Sequence, residues 1–379
     1  MLILFLLPFY FIENIKCLIS LHHYSPYSNR RIEQLHFQTN EKNWYVIGEK
    51  NQFLSNTLYK KTIWMNEYVV WRNNTFYYAM DNHCSHRGAS LSNGKIINEH
   101  IVCPYHGYEF DTNGTLCIVP GTTFQKNKCQ KINSYQILEK NGWIYLNINA
   151  TIDEPMIPIY EEPEAKNKDC TASFYNVPFQ TYARLISENS LDVMHIAYVH
   201  SFGNIQVPSP IYENPPKQCN DYPYHYKTEY IYVAGNDSIA KKIFNSTFLY
   251  VDVEFILPHV QIVRVTFDKY ISTIMTFATP INNTHSHIYV KTYRSYWYIS
   301  NSSNLLERLY NYIFDRYTEN IMKDTIMQDK YIVEKIKLKY MDGKYNMRFD
   351  KSGNVYRQLY KKWIHKITSD EKKNETHFL

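Results

Sequence analysis

The chain has 379 residues, 44% of them hydrophobic and 20% charged, with only 11 Gly and 15 Pro. This excludes collagen-like, disordered and low-complexity classes and leaves room for two ordinary domains. With 41 Lys and Arg against 36 Asp and Glu the net charge is +5, too slight and too dispersed to mark a nucleic-acid binder.

Residues 1–40 read as an apolar leader or arm. Met1 to Ile12 is nearly all apolar, but Glu13 and Lys16 interrupt the run before Cys17-Leu-Ile-Ser-Leu21, so it falls short of the roughly 20 residues that span a bilayer. The basic leading region and cleavage site of a signal peptide are missing. Organelle targeting, membrane association and simple packing on the protein all fit this composition, and the compartment stays open.

Residues 41–150 form short β-type runs, among them Tyr68-Val-Val-Trp71, Phe76-Tyr-Tyr-Ala79 and Trp143-Ile-Tyr-Leu146, separated by turn signals such as Asn93-Gly94 and Asn113-Gly114. The block is expected to be all-β. It contains two mixed pairs, Cys84-Ser-His86 and Cys103-Pro-Tyr-His106. Seven cysteines are too sparse for a disulfide framework, which turns attention to metal. A structural zinc site is one reading, but zinc fingers usually pair two Cys with two His in separate halves. Two Cys/His halves suit a Rieske [2Fe–2S] centre, where two thiolates hold one iron and two imidazoles the other. Cys117 and Cys129 read as buried small side chains rather than ligands.

Residues 151–169 bring Pro155, Pro158 and Pro163 among Asp153, Glu154, Glu161, Glu162 and Glu164, a stiff acidic linker and a domain boundary. Residues 170–365 then mix strand-like runs (228–234, 246–256, 261–267 and 286–293) with helical segments near 187–199 and 304–337, an α+β pattern with an antiparallel sheet. Residues 366–379 read as a polar tail.

Within the second block lies Glu188-Asn-Ser-Leu-Asp192-Val-Met-His195-Ile-Ala-Tyr-Val-His200. On a continuous helix positions 188, 192 and 195 share a face, whereas His200 is about 140° from His195, so convergence on one metal demands a π-bulge or a helix end between them. Two His and a carboxylate form the facial triad of non-haem Fe(II) sites, with coordination positions left open. The carboxylate can come from far along the chain.

Cys84-Ser-His86-Arg-Gly88 with Cys103-Pro-Tyr-His106-Gly-Tyr-Glu-Phe110, followed by the 188–200 segment, closely resembles the Rieske non-haem iron oxygenases over about residues 44–340. Respiratory Rieske proteins carry an extra Cys pair at places held here by Ala89 and Tyr105. The single-chain layout looks most like the pheophorbide a oxygenase and lethal leaf spot type, with Neverland-type sterol desaturases next; the C-terminal Cys-x-x-Cys of plant plastid members is absent. The resemblance implies a Rieske domain followed by a helix-grip catalytic domain, with one [2Fe–2S] cluster on Cys84, His86, Cys103 and His106. It also implies one Fe(II) on His195, His200 and a late-helix Asp. Asp329 fits that place best, with Asp324 the alternative and Gln328 standing where relatives often carry an acid.

By the same resemblance Asp192 would bridge a Rieske His and an iron-site His. Electrons would pass across neighbouring chains of a homotrimer to activate O₂ and hydroxylate, cleave or desaturate an apolar cyclic substrate. No Gly-x-Gly-x-x-Gly occurs, so a separate ferredoxin or reductase is the expected donor. Neither a Gly-x-Ser-x-Gly elbow nor a His-Glu-x-x-His is present, which sets hydrolase and zinc-protease readings aside. The competing reading is a Rieske electron carrier with a non-catalytic C-terminal binding domain.

Overall fold

The computed structural model describes residues 43–374, apart from 122–130, 201–206 and positions 220, 221, 223, 237, 344 and 346. The expectations for residues 1–40 and for Cys17 and Cys129 lie outside the described residues.

The first block is all-β, as its short β-type runs and turn signals predict. Its strands are β1 (Trp44–Glu49), β2 (Tyr59–Ile63), β3 (Asn66–Arg72), β4 (Tyr77–Asp81), β5 (Lys95–Ile97), β6 (His100–Val102), β7 (Glu109–Phe110), β8 (Leu116–Ile118), β9 (Tyr135–Lys140) and β10 (Trp143–Thr151). They form three small antiparallel sheets, ordered β1-β10-β9, β2-β3-β4 and β5-β6-β7-β8. The last carries the Cys/His loops and closes over its own core of Val69, Trp71, Met80, Leu91, Ile101, Phe110 and Leu116, into which Cys84 and Cys103 are built.

The second block contains β11 (Thr171–Phe179), α1 (Ala183–Leu191), α2 (Ile196–Val199), β12 (Tyr212–Gln218), β13 (His225–Val233), α3 (Ile239–Phe244), β14 (Phe248–Ile256), β15 (Val260–Phe267), β16 (Tyr270–Pro280), β17 (Ser286–Arg294), α4 (Leu305–Val333) and α5 (Lys351–Asn374). Seven strands make one antiparallel sheet in the order β11-β17-β16-β15-β14-β13-β12. The sequence reading missed β11, β16 and β12, the last because Pro215 and Pro216 lie in it. The strand sits at the sheet's edge, and its pairing with β13 shifts register between Asn214 and Lys217, which is where prolines are tolerated.

Helix α4 begins where Asn304 accepts a hydrogen bond from Glu307 N at 2.9 Å, a capped start. Its buried Met322, Ile326 and Val333 recur at helical spacing, and Asp329 falls on that same face, between Ile326 and Val333. Asp324 lies off it and is exposed.

Three expectations need correction. The 187–199 helix is two helices, since α1 stops at Leu191 and Asp192 is extended (φ −80°, ψ 116°); Glu188, Asp192 and His195 therefore share no helical face. The polar tail expected at 366–379 is helical as far as Asn374, the end of α5. The acidic linker is a packed strap rather than a solvated spacer. Its Glu162 is 1% exposed and accepts from Lys291 Nζ at 2.7 Å and Tyr293 OH at 2.5 Å, while Glu164 accepts from Arg264 Nε at 2.5 Å and Thr273 at 2.8 Å. The reason is charge balance, because cations buried on the sheet cannot stay unpaired.

The two blocks share a continuous seam. Tyr45, Ile47, Trp64 and Ile144 from the first pack with Tyr182, Phe255, Tyr356 and Trp363 from the second. Thr279 Oγ1 donates to Val46 O at 2.7 Å, and Trp64 N to Pro280 O at 3.0 Å. Among the described residues no helix is long and apolar enough to cross a membrane.

Candidate metal centres

The two Cys/His loops are built alike. Cys84 N donates to Ala89 O at 2.9 Å and Cys103 N to Tyr108 O at 2.8 Å; Gly88 N and Gly107 N return to Cys84 O and Cys103 O at 2.8 and 3.1 Å. In both, the residue four past the Cys turns left-handed, Gly88 at φ 69° and Gly107 at φ 72°, a conformation glycine takes without steric cost. The loops leave Cys84 and Cys103 buried and His86 and His106 exposed, with the imidazole centroids 4.7 Å apart. Burial, and behind it the neighbouring Cys103 thiol, raise the Cys84 pKa. Two soft sulfurs inside and two imidazoles at the rim are a donor set that fits a [2Fe–2S] cluster of Rieske type. Tyr108 stacks on His86 at 4.6 Å and 2°, holding that ring's plane. Cys117 is half-buried and its Sγ donates to Thr115 O at 3.3 Å.

The second constellation forms because the helix breaks. His195 stands at the start of α2, and His200 at its end is extended (φ −93°, ψ 138°), so the helix end demanded by their five-residue spacing is present. The Nε2 atoms of His195 and His200 lie 3.2 Å apart, and Asp329 Oδ1 from α4 is 3.4 Å from the first and 3.5 Å from the second. Asp324 stays outside this group. Among the described residues these three form the one set of three or more such side chains whose ligand atoms converge.

The trio fits a metal ion on two counts. Edges of 3.2–3.5 Å are what three donors about 2.1 Å from a common centre present at angles near 100–110°. Asp329 Oδ1 is also buried without a hydrogen bond of acceptable geometry, a state that costs free energy unless a cation compensates it. Both imidazoles keep an oxygen at the ring nitrogen facing away: His195 Nδ1 is 2.7 Å from the main-chain O of Asp192, and His200 Nδ1 is 3.1 Å from Gln328 Oε1. Electrostatically the rings differ. Burial opposes the charged form of His195, but the Asp329 and Asp192 carboxylates outweigh it and raise its pKa, whereas burial lowers that of His200 in spite of Asp329.

Asp192 meets the His195 imidazole through its carbonyl, while its carboxylate Oδ1 accepts from His195 N at 3.4 Å. Oδ1 accepts from Met194 N at 2.7 Å and Oδ2 lies 4.0 Å from His195 Nδ1, with the side chain 43% exposed. Glu188, part of the same motif, takes Arg184 Nε at 2.5 Å and Arg357 Nη2 at 2.6 Å, which ties α1 to α5. The sequence reading noted Gln328 only as a missing acid; its place next to Asp329 on α4 was the available signal for a role at the site.

Comparison with known proteins adds the family context. The profile described as the Rieske [2Fe-2S] domain matches residues 43–135. The chain is 30% identical over 118 residues to chlorophyllide a oxygenase, chloroplastic, of Chlamydomonas reinhardtii, covering 31% of this chain and 18% of that one. It is 30% identical over 165 residues to the iron-sulfur subunit of the toluene-4-sulfonate monooxygenase system of Comamonas testosteroni, covering 41% and 45%. The chain thus spans less than half the length of the curated relatives it matches. In structure it resembles dicamba monooxygenase bound to dicamba, with a TM-score of 0.72 at 16% identity over 88% of this chain and 100% of that chain. It also resembles NdmA of Pseudomonas putida, with a TM-score of 0.63 at 19% identity over 87% and 91%. Residues 43–135 are thus a Rieske [2Fe–2S] domain, and the fold over 88% of the chain is that of dicamba monooxygenase.

Proposed function

We propose that the chain is a Rieske oxygenase that uses O₂ to oxidise an apolar cyclic substrate, with Cys84, His86, Cys103 and His106 holding the [2Fe–2S] cluster and His195, His200 and Asp329 holding a ferrous ion. The observation that carries this reading is the convergence of Asp329 Oδ1 with two imidazole Nε2 atoms, at 3.4 and 3.5 Å. When bound, the cluster would supply electrons one at a time and the ferrous ion the activation of O₂.

The chain's own residues define the rest. Three protein donors on one face leave the opposite face open to small ligands. The exposed rims of His86 and His106 offer an electron entry and exit edge, while the sulfurs are sealed in the core. We read the half-exposed Asp192 carboxylate beside His195 as the acceptor for a Rieske imidazole of a second copy, within a homotrimer in which sites on neighbouring chains are paired. Electrons would come from a separate ferredoxin or reductase. Relatives named for toluene-4-sulfonate, methylxanthine and chlorophyllide a support a ring compound as substrate.

The test is substrate-dependent O₂ uptake by the cluster-loaded protein with a surrogate ferredoxin and reductase, over a panel of apolar ring compounds. Uptake matched by oxidised product, and lost in His200→Ala, is expected. Uptake and product equal in His200→Ala would contradict the proposal.

A further inference from the structure

We infer that Gln328 is a positioning residue that sets the tautomer of His200, and through it the metal affinity of the trio; the inference rests on the proposed role of His195, His200 and Asp329. Successive residues of α4 grip this imidazole at both nitrogens, Gln328 Oε1 at 3.1 Å from Nδ1 and Asp329 Oδ1 at 3.5 Å from Nε2. A neutral imidazole has one N–H and one lone pair. With the amide oxygen toward the ring, Nδ1 carries the proton and Nε2 turns its lone pair toward the point shared with His195 Nε2 and Asp329 Oδ1. With the amide reversed, its NH₂ group would need Nδ1 as acceptor, the proton would move to Nε2, and the metal-facing position would be blocked. Metal binding therefore selects one orientation of this side chain.

The two imidazoles are held by different means. At His195 the acceptor is the main-chain oxygen of Asp192, 2.7 Å from Nδ1, which no side-chain substitution removes. At His200 it is a rotatable amide, so the second imidazole alone depends on a replaceable group. Gln328 is also uncharged, and Asp329 remains the one anionic donor of the trio.

The probe is Mn(II), added to cluster-loaded protein, with free ion measured by electron paramagnetic resonance. Gln328→Leu removes the acceptor and is expected to weaken Mn(II) binding about ten- to hundredfold, with an unchanged thermal unfolding midpoint of the metal-free site. Gln328→Glu can only accept at Nδ1 and should bind at least as tightly as the parent. Equal affinity in Gln328→Leu and parent would overturn the inference, as would equal weakening in the Leu and Glu variants. If the parent itself binds Mn(II) no better than His200→Ala does, the trio is not a metal site and the failure lies in the underlying reading.

Discussion

His200 and Asp329 are 129 positions apart, yet the imidazole Nε2 stands 3.5 Å from the carboxylate Oδ1. The contact exists because α2 ends at His200 and because α4 buries the face that carries Asp329. Replacing Asp329 by Asn should remove the mononuclear iron while leaving the cluster in place. Asp324→Asn, at an exposed position of the same helix, should leave both untouched. Iron and acid-labile sulfide content per chain, measured on the two variants, checks this, and loss of iron in Asp324→Asn would reverse the assignment.

Asp192→Asn is expected to retain both metal centres and lose turnover by at least about tenfold. The main-chain carbonyl that holds His195 is unaffected by this change, so only the half-exposed carboxylate is altered. Turnover at the parent rate would show that Asp192 forms no bridge between centres.

The strap offers a stability test. Glu162 and Lys291 are 1% and 0% exposed and 2.7 Å apart; burial lowers the Lys291 pKa, with Glu162 opposing it. Lys291→Met leaves a buried carboxylate alone and should cost on the order of 3–5 kcal/mol in chemical denaturation. The double variant Glu162→Gln with Lys291→Met should recover part of that loss. An unchanged denaturation midpoint in the single variant would mean that the pair is not closed.

One buried and one half-buried histidine lower the stability in acid. His259, stacked on Tyr45 at 4.4 Å, is held by burial down to about 3, and His287 by burial and the nearby Lys61 down to about 4, from an ordinary 6.5. Both folded-state values are depressed, so below pH 6.5 the unfolded chain takes up protons that the folded chain refuses. Stability should therefore be full above 6.5 and decline as pH falls, by roughly 1.4 kcal/mol per unit for each group, down to about 4 for His287 and 3 for His259. Asp342, lowered to about 2 by Lys361 and Arg184 against the effect of burial, acts only at lower pH. His259→Phe, which keeps a ring against Tyr45, should flatten the decline between pH 6 and 4 when unfolding is followed by urea titration. A decline as steep as the parent's would exclude His259 as its source.

Much of this architecture was readable from residue types and spacing, and the exceptions have physical causes. The Cys/His pairs are local, so their loops could be inferred from a few adjacent residues. The strand-like runs at β13, β14, β15 and β17 likewise marked their strands. Asp329 could be preferred over Asp324 by resemblance, and the buried face of α4 supplies the reason that periodicity alone would have given. What could not be read was long-range charge pairing. Nothing near Glu162 announces Lys291, and nothing near Glu188 announces Arg357. An acidic, proline-rich run looks like a spacer until the cations it neutralises are known. The helix break after Leu191 was not foreseen; ligand geometry demanded only an irregularity between His195 and His200, which the end of α2 supplies.

The central claim is that the C-terminal block holds a ferrous ion in addition to the cluster. Mössbauer spectroscopy of protein grown on isotope-enriched iron and reduced without air tests it most directly. The account predicts about one third of the iron as a separate high-spin ferrous species, absent in His195→Ala, and two thirds in the cluster. Iron found only in the cluster, in a chain whose His195, His200 and Asp329 are intact, would contradict it.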